Sequence, residues 1–169
     1  VGRRQIVFGV GDAEADLMVI GEGPGEQEDL RGEPFVGPAG EMLDKMLANV
    51  VGIPRERAYI ANVVKCRPPD NRNPTPEEAG TCLPFLERQI RAVAPKILLV
   101  LGNVALKHVL GVEGITRARG KEMAWRGIPA VPTFHPAYLL RQPGDKRLAM
   151  EDLLRVKRRY DELGGRRDG

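Results

Sequence analysis

The sequence predicts an α/β domain, a three-layer α/β/α sandwich around a four-stranded parallel sheet. Two observations carry this reading. Short, almost purely apolar runs alternate along the chain with longer stretches whose apolar residues recur at helical spacing. Strand and helix alternating in that way gives parallel pairing with helices on both faces.

Each element has its own signal. Leu17–Ile20 is an apolar run closed by Gly21 and reads as the first, buried strand. Pro38–Val51 sets Met42, Leu43, Met46, Leu47 and Val50 on one helical face. Ala58–Val64, β-branched and aromatic around Asn62, is the second strand. Pro76–Val93 opens with Thr75 as N-cap, Pro76 at the first turn and Glu78 three residues on from the cap, the pattern of a capping box. Ile97–Leu101, ended by Gly102, is the third strand, and Asn103–Leu110 the helix behind it. Arg117–Pro129 is irregular and basic, with room for a small hairpin turning near Arg126-Gly127. Ala130–Phe134 is the fourth strand and Asp145–Leu163 the last helix. One domain is expected over residues 1–163, followed by a disordered Gly- and Arg-rich tail at 164–169.

Composition narrows the function. With 169 residues, 42% apolar and 29% charged, the chain suits one globular domain. No run approaches the roughly 18–20 apolar residues of a membrane span, so no membrane partner is expected. No signal core follows Val1, and two cysteines make no disulfide framework, which points to a reducing cytoplasm. The net charge of +3 hides a division: Asp12–Asp44 holds ten acidic residues against Arg31 alone. The basic remainder is compatible with a polyanion meeting one side of the molecule, and equally with a preference for arginine.

In an open α/β sheet, ligands bind beyond the carboxyl ends of the strands. The first strand runs there into Gly21-Glu22-Gly23-Pro24-Gly25, the second ends around Asn62 before Lys65-Cys66-Arg67, and the fourth leads to His135-Pro136. The glycines do not fit a dinucleotide fingerprint, because its third glycine would fall at Glu26. They allow a flat ligand to approach the backbone, or simply make a tight turn. His135 is either a hydrogen-bonded structural residue or a functional one. His108, in a helix with apolar neighbours, reads as structural. Glu26, Glu28 and Asp29 are a possible cation cluster, but more commonly such a group is only solvated. Cys66 and Cys82 fall short of the four thiolates that zinc or an iron–sulfur cluster usually takes.

Taken together, these segments resemble the family 4 uracil-DNA glycosylases. The resemblance rests on Gly21–Gly25 with Glu28-Asp29, on Gly32–Gly37 with Ala39-Gly40, and on Asn62–Pro69 with Asn71-Arg72, Pro74–Glu78 and Cys82. Leu101-Gly102, Arg119-Gly120-Lys121 and His135–Arg141 complete it, so that it runs from about Arg3 to Tyr160.

It implies hydrolysis of the N-glycosidic bond of a flipped deoxyuridine in single- or double-stranded DNA by a monomer, leaving an abasic site. The alternative is a non-catalytic binder of uracil-containing or abasic DNA. The resemblance places Phe35 against the uracil face and the Asn62 amide at its O4 and N3–H edge. Backbone around Glu22 and Gly23 would lie at the O2 side, and His135 would be the donor to O2. Glu22, or Glu28 more weakly, would orient water or stabilise the cationic sugar. Lys65, Arg67, Arg72, Arg119, Lys121 and Arg141 are the expected phosphate contacts. Leu139 and Leu140, on a loop after the histidine, are the expected wedge into the duplex. Family members hold a [4Fe–4S] cluster on four cysteines; Cys66 and Cys82 match the second pair. The first pair is expected upstream of Val1, in a segment missing from a truncated sequence.

Overall fold

The computed structural model describes residues 8–65 and 74–167. Its sheet has six strands, where four were expected, in the order β1-β3-β2-β4-β6-β5. The strands are β1 Val10–Gly11, β2 Leu17–Gly21, β3 Tyr59–Asn62, β4 Ile97–Leu101, β5 Met123–Trp125 and β6 Ile128–Thr133. The central β3, β2, β4 and β6 pair in parallel, and β1 and β5 close the two edges antiparallel. β2 and β4 are buried along their whole length, as expected of parallel strands covered on both faces. The two added strands are too short to register as hydrophobic patterns. β5 and β6 form the expected hairpin, turning through Arg126 and Gly127, both at positive φ.

The helices are α1 Glu26–Arg31, α2 Pro38–Lys45, α3 Pro76–Val93, α4 Gly102–Ala105, α5 Ile115–Ala118, α6 Pro136–Arg141 and α7 Lys146–Glu162. α2 and α4 widen at their ends into π turns, Met46–Val51 and Leu106–Leu110. Thr75 caps α3 as its sequence signals: its side chain accepts from the Glu78 amide at 3.1 Å, and Glu78 Oε1 accepts from the Thr75 amide at 2.8 Å. The segment after His135, expected as a loop, is the short helix α6, which His135 itself caps.

Residues near the carboxyl end, as far as Arg167, contact the body of the domain. The Arg166 amide and guanidinium both reach Asp16 Oδ2, at 2.9 and 3.1 Å, and Arg167 donates to the Val51 carbonyl at 2.9 Å. Asp168 and Gly169 lie outside the described residues.

Candidate functional site

The four parallel strands deliver their carboxyl ends, Gly21, Asn62, Leu101 and Thr133, to one edge of the sheet. Pairing of β2 with β3 continues one step past the strands: Val63 N donates to Gly21 O at 2.9 Å and Val64 N to Glu22 O at 3.0 Å. Glu22 and Asn62 are thereby held side by side. Gly21 has to be glycine, because a Cβ there would lie 2.6 Å from both Asn62 Oδ1 and the Phe35 ring.

Phe35 presents its ring to this corner from an unusual backbone. Its φ is 53°, a left-handed conformation that costs a non-glycine residue about 1–2 kcal/mol. Contacts on both sides of the chain offset that strain. Glu28 accepts from the Val36 and Gly37 amides at 2.9 and 3.3 Å, and its other oxygen accepts from the Gly25 amide at 2.9 Å. The Arg55 guanidinium donates to the Pro34 and Phe35 carbonyls and pairs with Asp44 at 3.1 Å. Glu28 thus braces the loop through backbone contacts to both of its oxygens, while it also lines the cavity described below.

His135 follows β6. Its Nδ1 accepts the Ala137 amide at 3.0 Å, so in the neutral ring the proton sits on Nε2. Burial first, and the Arg141 charge second, push its pKa down to about 4. The ring is neutral at pH 7 and offers one N–H. It stacks on Phe35 with centroids 5.3 Å apart and planes at 29°. Gly102, at φ 87°, lets β4 approach: a Cβ there would meet His135 Cβ at 3.0 Å.

These groups line one cavity of about 470 Å³, together with Glu22, Gly23, Asn62 and Arg141. Burial raises the Glu22 pKa above the ordinary carboxylate value, and the Arg141 charge opposes that shift. Asn62, 2% exposed, carries the informative anomaly: its buried Oδ1 has no hydrogen-bond partner. Buried polar atoms are nearly always satisfied, so an orphaned acceptor on a residue that lines a cavity points to a ligand N–H.

Three expected DNA contacts are corrected by burial. Lys65 is 3% exposed and donates to the Asn62 carbonyl at 2.8 Å and to Gln89, so it supports the second strand from behind and cannot reach phosphate. Arg119 is held by Asp152 at 3.0 and 3.2 Å, inside a cluster with Thr133 and Arg155. Leu139 is 1% exposed and belongs to the core, so it is no wedge. Leu140, Lys121 and Arg141 are exposed. Arg67, Arg72 and Cys66 lie outside the described residues. Arg55 escaped the sequence reading altogether, since a side chain that binds carbonyls twenty residues away leaves no periodic trace.

Cys82 is half-buried on α3, and its Sγ accepts the Lys65 amide at 3.5 Å, one residue before Cys66. Among the described residues no group of three or more His, Cys, Asp or Glu side chains could hold a metal ion. Two cysteines fit half of a four-thiolate cluster site and not the whole of it. No described helix is long and apolar enough to cross a membrane.

The profile of the uracil DNA glycosylase superfamily matches residues 8–155. A Type-4 uracil-DNA glycosylase of Thermotoga maritima is 44% identical over 162 residues, covering 93% of this chain and 84% of its own. One from Sulfurisphaera tokodaii is 40% identical over 92% of this chain and 74% of its own. A third, from Archaeoglobus fulgidus, is 42% identical over 81% and 73%.

Proposed function

The chain belongs to the uracil-DNA glycosylase superfamily, and on that premise we propose that the cavity at the carboxyl end of its sheet excises uracil from DNA. The reaction hydrolyses the N-glycosidic bond of a deoxyuridine and leaves an abasic site. A base within a duplex is out of reach, so the nucleotide is first flipped out, at a cost of a few kcal/mol. The observation that carries the reading is the orphaned Asn62 Oδ1. Uracil presents N3–H to that oxygen and O4 to the amide nitrogen; cytosine offers an unprotonated N3 and an amine, and mismatches both.

The remaining groups divide the chemistry. Phe35 supplies stacking, worth about 1–3 kcal/mol per base at comparable sites. As the bond breaks, negative charge grows on the uracil ring. His135 donates through Nε2 to O2, where it accumulates, and a donor so placed is worth about 3–4 kcal/mol in the transition state. Remaining neutral suits it to the task, since its hydrogen bond strengthens as the charge develops. Glu22, ionised above its raised pKa, faces the cationic sugar and orients water. Arg141 contacts phosphate, and Leu140, 44% exposed, fills the space vacated by the flipped base. Lys121 remains a second candidate for phosphate. Action as a monomer is part of the same proposal. Cys66 and Cys82 would supply two of the four thiolates of a [4Fe–4S] cluster, and the hydrolysis requires no electron transfer from it.

Release of free uracil from an oligonucleotide with a single deoxyuridine tests the reading. DNA binding without release would overturn it in favour of a non-catalytic binder.

A further inference from the structure

Arg55 lies outside every motif in the sequence, on the 3-10 turn Arg55–Arg57 that leads into β3. Its side chain is 18% exposed and spans the loop of the pocket's aromatic ring from behind. The guanidinium donates from Nη2 to Pro34 O, and from Nη1 to both Phe35 O and Asp44 Oδ1. The two consecutive carbonyls on either side of the positive φ at Phe35 thus face one guanidinium. A planar fork of donors can satisfy both at once, and a lysine ammonium offers only a point charge. On the far side, a Cβ at Gly40 would lie 2.0 Å from Phe35 O, so the carbonyl is wedged between α2 and the guanidinium. At the front, the ring lies against Gly21 and stacks on His135.

We propose that Arg55 is a positioning residue for base capture: it holds the Phe35 backbone in its left-handed conformation and so keeps the ring where a flipped pyrimidine stacks. This rests on the reading of the cavity as a uracil pocket. It adds to that reading a residue which touches no substrate and yet sets affinity for the base. The Asp44 carboxylate fixes the guanidinium, and Asp44 is partly exposed, so the clamp lies on a solvent-facing side away from the chemistry.

The test compares Arg55→Met and Arg55→Lys with wild type by inhibition with free uracil and by single-turnover release from a single-deoxyuridine oligonucleotide, unfolding being followed in parallel. Inhibition by uracil is expected to weaken about tenfold in Arg55→Met and about threefold in Arg55→Lys, as for loss of a ground-state binding contact. In a Phe35→Ala background, Arg55→Met should add nothing to the loss in release, because the ring that it positions is gone. A general structural role would give the same added factor in both backgrounds. That additivity, or unchanged uracil inhibition in folded Arg55→Lys, overturns the proposal; the lysine variant decides the matter if the methionine variant does not fold. Should wild type neither release uracil nor be inhibited by it, the pocket reading itself fails and this inference falls with it. If wild type does both and the substitutions are additive, only the role of Arg55 fails.

Discussion

In the proposed reading, the two ends of the Asn62 amide carry different halves of base recognition. Asn62→Asp keeps an acceptor for N3–H and loses the donor to O4, so uracil release should fall at least about tenfold, with weak cytosine excision gained. Full uracil activity in that variant would mean that another group reads the edge. His135→Ala removes the Nε2 donor, and single-turnover release should slow by at least about tenfold with DNA binding nearly intact; an unchanged rate would refute the role. The pH dependence has a defined sign. Glu22 must be ionised, and burial raises its pKa, so activity should fall on acidification from a point above its ordinary value of 4.5. The Arg141 charge lowers the pKa of both Glu22 and His135. Arg141→Gln should therefore move the acid limb to higher pH, and a limb that stays in place would show that neither group controls it. At this scale Glu22, Asn62 and His135 stood out in the sequence as strand-end residues and Phe35 only through the resemblance; the four line one cavity. Lys65, Arg119 and Leu139 were misread for one reason: residue type suggested phosphate or base contact, and tertiary burial decided otherwise.

Among the elements, α7 is joined to the strand that leads into His135 through Asp152, which is fully buried. It accepts from Thr133 Oγ1 at 2.6 Å, from Arg119 and from Arg155 at 2.5 Å. Removing one partner of such a cluster strands the others' charge, so Asp152→Ala should cost about 3–5 kcal/mol in chemical denaturation. A loss below about 1 kcal/mol would show that water replaces the carboxylate at little cost. The long helices and the four central strands were readable because their apolar periodicity is complete within one element. β1 and β5 were not, since two or three residues cannot show a period. α6 hides similarly in six residues, although His135 before Pro136 is a legitimate start signal. α3 runs straight through Pro84, whose ring would meet the carbonyl of Gly80; both residues are exposed on a helix otherwise anchored by Leu86, Gln89, Ile90 and Val93.

For the whole molecule, the cysteines make the broadest prediction. A form of the protein that holds all four cluster cysteines should carry iron and show the visible absorbance of thiolate-ligated clusters, and Cys82→Ala should bleach it. The unfolding midpoint should fall before the rate of uracil release does, because a cluster would cross-link segments far apart in the chain. Iron-free protein as stable and active as its cysteine variants would end that reading. The division of charge was visible in composition, but its use was not: several of the basic residues outside Asp12–Asp44, Arg119 and Arg155 among them, serve internal ion pairs. The brevity of β1 and β5 has a consequence for behaviour in solution. The apolar central strands are the part of the chain most able to recruit another copy, and they are fenced by antiparallel margins two and three residues long. Neither margin offers a template long enough for another chain to extend. Short edge strands of this kind are one of the devices by which sheets avoid edge-to-edge pairing.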